Sequence, residues 1–232
     1  MTRLGIVTGL LSEAAIIRGY GSAKHELPLL ATAAGHDAHH VTRAAQGLIE
    51  QGANALVSFG LAGGLAPEAR AGNLVIAGRV CDGEGNIIEG DLAWASRAQA
   101  TFARQFAAPV RNIVMASGNK PVASVVEKAR LYGASAAYAV DMESLPVAQV
   151  AAEKNLPFIA VRAIVDDASS HLLPAALHAQ NGDGSINYGR LFRCLAESPW
   201  DIFSLISLGL KGAKASATLR AAVGASGGRF FF

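Results

Sequence analysis

Three carboxylates stand where apolar segments of this chain give way to polar ones: Glu13 after LGIVTGLL, Glu143 in AVDMES and Asp166 in VRAIVDDAS. Taken singly, each reads as an acid that caps or opens a helix, where the helix's positive end favours it. Taken together they read differently, because acids that follow buried strands line one mouth of a sheet and can converge from distant sequence. Burial there raises a carboxyl's pKa, which proton transfer near neutral pH requires. A second feature lies in VSFGLAGGLAP, where Gly60, Ala62, Gly63 and Gly64 end a buried-looking strand. Glycine inside regular structure costs about 0.5–1 kcal/mol against alanine, so the cluster implies that something comes close to this backbone. A dinucleotide fingerprint would need GxGxxG opening a helix, with an acid about 20 residues further on. Here the cluster runs into Pro67 and another strand, and GYGSAK (Gly19 to Lys24) follows no clear strand. A phosphate or hydroxyl held by backbone amides remains the open reading.

Such groups need a sheet to position them. Short runs rich in Val, Ile, Ala and Leu recur along the chain: LGIVTGL, ELPLLATAAG, ANALVSFG, GNLVIAGRV, RNIVMASG, AAYAVDM and LPFIAVRAIVDD. They have the composition of buried, mostly parallel strands. Between them HDAHHVTRAAQGLIEQG, VASVVEKARLYG and ESLPVAQVAAEKN follow a helical period. The alternation predicts an α/β fold with both sheet faces covered, and 232 residues at 51% hydrophobic composition suit one domain. That domain is expected over residues 1–210, with a helical extension over 199–224 and a tail, GASGGRFFF, that looks frayed over 225–232. A net charge of +2 without a basic stripe argues against nucleic acid as partner. Cys81 and Cys194, far apart and without CxxC spacing, point to a reducing compartment and so to the cytoplasm. The N-terminus has no long apolar signal region and reads as a first strand, and no apolar run reaches the ~18 residues needed to span a bilayer.

LGIVTGLLSE, SFGLAGGLAP, AVDMES and VRAIVDD, in this order, resemble the nucleoside phosphorylase superfamily, which includes purine nucleoside phosphorylases and methylthioadenosine/S-adenosylhomocysteine nucleosidases. The likeness covers about Leu4 to Asp167, and the branch it is most similar to is the hopanoid-associated phosphorylases, through SFGLAGGLAP, AVDMES and the later LLPAAL…DGSINYGRLFRCL. It implies a single-domain three-layer α/β/α sandwich around a mixed, mostly parallel sheet. It also implies cleavage of the N-ribosidic bond of a 5′-substituted adenosine, in that branch adenosylhopane, with release of adenine. Asp166 would donate a proton to purine N7, Glu143 with Met142 would clamp the ribose, and Glu13 would help activate an attacking water. Ala62 and Gly63 would supply amides near the nucleophile, and Val122 a backbone contact to the purine. No cofactor or metal is implied, the name of that branch favours phosphorolysis with phosphate as co-substrate over hydrolysis as a near-equal alternative, and a homo-oligomer is expected. The alternatives are a methylthioadenosine/S-adenosylhomocysteine nucleosidase, a soluble purine nucleoside phosphorylase in salvage, and a non-catalytic nucleoside-binding module. A pure binder would not need three ionisable acids, so the enzyme is favoured.

The chemistry matches the residue types. Breaking an N-ribosidic bond builds positive charge on the sugar and negative charge on the purine, much as in glycoside hydrolysis. A protonated acid relieves the second, and a carboxylate that accepts both ribose hydroxyls favours the first. The chain departs from its relatives at Ser58, where hexameric phosphorylases carry arginine, at Leu61, where nucleosidases carry serine, and at Asn119, Lys120 and Pro121 on the purine side. His36, His39 and His40 read as a solvated helix start rather than a metal pair, having no HExxH arrangement. Trp94 and Trp200 are too isolated for a stacking platform, and Arg162, mid-strand, is expected to pair with a carboxylate. Ile202 to Leu210, followed by Lys211, Lys214 and Arg220, reads as a docked or subunit-interface helix, with peripheral contact at the inner membrane as the alternative.

Overall fold

The computed structural model describes residues 3–24, 29–106, 110–171 and 201–232. LLPAAL…DGSINYGRLFRCL and Trp200 lie outside the described residues. The expected apolar runs form strands β1 (Leu4–Thr8), β2 (Leu29–Ala33), β3 (Ala55–Gly64), β4 (Leu74–Cys81), β6 (Arg111–Ser117), β7 (Ala139–Asp141) and β8 (Phe158–Asp166). A short β5 (Ile87–Glu89) adds an antiparallel edge to β4. β1 lies parallel between β2 and β3, and β3 runs on beside β8, also parallel. β8 then pairs antiparallel with β4, β4 and β6 are parallel, β6 and β7 are parallel, and β7 returns antiparallel to the end of β3. The sheet is therefore mixed and mostly parallel, and part of it closes on itself through the far end of β3.

The three expected helices are present as α2 (Ala38–Glu50), α4 (Val125–Ser135) and α5 (Ser144–Glu153). α2 and α5 bury Val41, Ala45, Leu48, Val147, Ala148 and Ala151 on one sheet face. Two helices that the sequence did not announce, α1 (Leu11–Lys24) and α3 (Leu92–Ala103), cover the other face together with α6 (Asp201–Ser226). α1 lacks an apolar stripe and carries the glycines of GYGSAK, whereas α3 does bury Trp94, Ala95, Ala98 and Phe102 along one face, a spacing that went unread in the sequence. The three layers of an α/β/α sandwich result.

The C-terminal segment differs from its expected form. α6 runs unbroken through Leu210 and lays Ala215, Leu219, Ala222 and Val223 into the core beneath α1 and β8. Its tail is packed rather than frayed: Phe230 is fully buried, its carbonyl accepts a hydrogen bond of 2.7 Å from Trp94 Nε1, and its ring lies 5.6 Å from that of Phe59. Phe230 and Phe231 hold positive φ of 48° and 60°, a conformation bulky residues adopt only when packing imposes it. Among the described residues no helix is long and apolar enough to cross a membrane.

Candidate active site

Glu13 occupies the first turn of α1, and both readings of such an acid hold for it. One carboxylate oxygen accepts from the amides of Gly9 and Leu10 at 3.1 and 2.9 Å, and the other reaches across to the amide of Leu61 on β3 at 2.8 Å. Burial pushes its pKa up to about 7, with Arg162 and the amides pulling it down and the charge of Glu143 adding to the rise. Gly60 makes this approach possible, because a Cβ there would stand 2.6 Å from both Arg162 Nη1 and Glu13 Oε1. That close approach is what the glycine cluster serves at this position.

Arg162, central in β8 and buried, binds the acids into one cluster. Its guanidinium meets Asp141 Oδ2 at 2.7 Å and Glu143 Oε2 at 3.1 Å, and donates to the Ser58 hydroxyl at 2.5 Å and the Leu61 carbonyl at 3.3 Å. Glu143 precedes α5 but makes no side-chain cap. The cap falls instead to Asp141, which accepts from the amide and the hydroxyl of Ser144. Glu143 is thereby left for the site, where its second oxygen meets His36 Nδ1 at 2.5 Å. Burial pushes Glu143 up, but Arg162 and His36 outweigh it and hold the group below the usual carboxylate range. The same bond to Glu143 raises His36, while burial raises Asp141. One guanidinium and one imidazole thus face three acids, and Glu143 is the one that they hold ionised.

Asp166 ends β8 further along the same stretch of β3. The register slips between Ala62 and Gly63, passing over Val165 and setting Asp166 level with Gly63. Such a bulge re-aims a side chain at the rim of a sheet. A Cβ on Gly63 would lie 3.3 Å from Asp166 Oδ1. The carboxyl is buried, which raises its pKa, while Lys128, bound to Oδ2, works in the opposite direction.

The other expected site residues take up flanking places. Ala62 pairs with Ile164 of β8, Gly63 with Asp166 of β8 and Val140 of β7, Met142 is half-buried beside Glu143, and Val122 lines a cavity of about 340 Å³ with Ser117, Asn119 and Lys120. His39 and His40 are exposed at the start of α2, which Asp37 caps. His36 departs from the solvated-start reading: it precedes the helix and points to Glu143, a contact that no local sequence pattern marks. Asp141, Ser144 and Lys128 were likewise not singled out in the sequence. Asp141 and Ser144 both stand inside AVDMES, the one sequence signal that could have drawn attention to them, while Lys128 has none. Among the described residues no group of three or more His, Cys, Asp or Glu side chains is placed to hold a metal ion.

The fold has close counterparts among solved structures. Futalosine hydrolase of Helicobacter pylori superposes with a TM-score of 0.70 at 17% identity, over 96% of this chain and 97% of that one. A mutant methylthioadenosine nucleosidase of the same organism, with 5′-methylthioadenosine in its active site, gives 0.70 at 17% over 97% and 99%. A methylthioadenosine/S-adenosylhomocysteine nucleosidase of S. pneumoniae, holding a transition-state inhibitor, gives 0.68 at 16% over 97% and 99%. At these identities the likeness is one of fold. No curated protein matches the sequence. The family model described as "Phosphorylase superfamily" matches residues 21–184. With that match over most of its length, the chain belongs to the phosphorylase superfamily, the N-glycosidic bond-cleaving enzymes that its motifs resemble.

Proposed function

We propose that this enzyme releases adenine from a 5′-substituted adenosine by hydrolysis. The observation that carries the reading is the gathering of Glu13, Glu143 and Asp166 along one stretch of β3, each buried and each with its own electrostatic setting. Asp166, whose proton burial makes harder to lose, gives it to purine N7 as the C1′–N9 bond breaks and the electron pair leaves with the base. Glu143, held ionised by Arg162 and His36, accepts the ribose hydroxyls and favours positive charge on the sugar. Glu13, poised near neutrality, takes a proton from the water whose oxygen bonds to C1′.

Water is preferred to phosphate because the partners an anion would need are already engaged. The amides of Gly9, Leu10 and Leu61 donate to Glu13, the Ser58 hydroxyl is tied to Arg162 and Ser144, and Arg162 is held by two acids. The finer substrate, adenosylhopane, rests on the resemblance of SFGLAGGLAP and AVDMES to the hopanoid-associated branch. Such a lipid would be met at the inner-membrane surface. A second reading, 5′-methylthioadenosine or S-adenosylhomocysteine as substrate, is favoured by the full-length fold likeness to nucleosidases, one of them with 5′-methylthioadenosine bound. Adenine release from adenosylhopane in vesicles and from 5′-methylthioadenosine in solution separates the two. Repeating the assay across a phosphate titration identifies the nucleophile: free ribosyl product at an unchanged rate supports water, and a ribosyl 1-phosphate overturns it.

A further inference from the structure

Lys128 is the one fully buried side chain of α4, and nothing in helix physics favours it there. A buried ammonium is costly unless paired, and a cation in the first turn opposes the helix dipole. Ion pairing for stability is a weak reason, since an apolar side chain of similar size usually serves as well. The helix start is nonetheless fixed with care: Ser124 and Glu127 form a reciprocal capping box immediately before Lys128, with bonds of 3.0 and 3.1 Å. Lys128 Nζ then donates to Asp166 Oδ2, to the Asp167 carbonyl at 2.9 Å and to the Ser170 carbonyl at 3.0 Å. All three of its hydrogens are engaged, so its direction is set.

We infer that Lys128 is a positioning residue for the acid step, fixing Oδ2 of Asp166 so that Oδ1, over Gly63, is the atom that delivers the proton. The inference rests on Asp166 being the general acid. When the Oδ1–H bond breaks and N7–H forms, a carboxylate is left in a buried place, and the Lys128 ammonium stabilises it. Without that cation the acid would hold its proton too tightly. The other charged groups beside this pair among the described residues are Asp167 and Lys211, which meet each other at 3.2 Å and whose charges oppose.

The test is the pH profile of kcat for the parent, Lys128→Met, Asp166→Asn and the double variant, on whichever 5′-substituted adenosine turns over, with folding followed by circular dichroism. A general acid must be protonated, so kcat falls as pH rises through its pKa. Removing Lys128 should move that alkaline limb up by about one unit and lower the plateau about tenfold or more. In the Asp166→Asn background the same change should cost little, because residues acting as a unit are not additive. An unmoved limb, or an equal loss in both backgrounds, would make Lys128 merely structural. Near-parental kcat in Asp166→Asn would instead remove the acid assignment itself, and the role of Lys128 with it. Lys128→Gln, which keeps a donor without the charge, carries the same test where the Met variant does not fold.

Discussion

Glu13 and Glu143 both lie beside Arg162, yet their environments push them apart, one toward neutrality and the other toward permanent charge. A pair of titrating groups with divided pKa values is the usual mark of divided roles. As pH rises through about 7 Glu13 loses its proton, so the form that can accept one from water grows, and kcat/KM should rise through that region before the acid limb ends it. Glu13→Gln should abolish the rising limb; a rise that persists in this variant assigns it to another group. Glu143 should act on sugar rather than base. Glu143→Gln is expected to damage both kcat and KM, and 2′-deoxyadenosine analogues should be poor substrates of the parent, because a site built around a hydroxyl rejects the analogue lacking it. Equal turnover of ribo and deoxyribo substrates would contradict the clamp.

At the level of elements, the C-terminal helix does more for the core than its composition announces. Lys211, one of the cations that would face a bilayer in the alternative reading of this helix, meets Asp167 at 3.2 Å and the Ser170 hydroxyl at 2.9 Å. The tail beyond it closes the α3 side of the sheet with three phenylalanines: Phe230 on Phe59, Phe231 on Phe102 at 4.9 Å and Phe232 on Trp94 at 4.5 Å. Phe230→Ala should therefore destabilise the protein by about 3–5 kcal/mol, the range for emptying a buried aromatic site, measured as a fall in the urea midpoint. A change under about 0.5 kcal/mol, typical of surface positions, would return the tail to the frayed reading.

For the molecule as a whole, burying so many acids in one place makes stability depend on pH in an uncommon direction. Glu13, Asp141, Asp166 and His36 all bind their protons more tightly folded than unfolded. Such groups contribute stability that is present at low pH and lost as pH rises through the folded pKa, for Glu13 between 4.5 and about 7. The groups shifted the other way, Asp37, Asp82, Glu127, Asp167 and Glu143, act below that window. Denaturant midpoints should accordingly be higher at pH 5 than at pH 8. A midpoint that climbs over the same interval would mean that the cluster is compensated by groups on the protein surface.

Periodicity and composition determined what depends on neighbours along the chain: the apolar strands, three of the helices, and acids placed just past strand ends. They also marked Gly60 as a place of close approach, because the conformational cost of glycine is local and visible in any sequence. What comes close to it, Glu13 from α1 and Arg162 from β8, was decided by strand order, which no local pattern encodes. The same holds for His36 against Glu143, 107 residues apart, and for Lys128 against Asp166, 38 apart. A lysine on a helix and a histidine before one read as solvated, since most are. Only a sheet that brings β1, β3, β7 and β8 to one mouth turns them into partners of buried acids, where unpaired charge is too costly to leave alone.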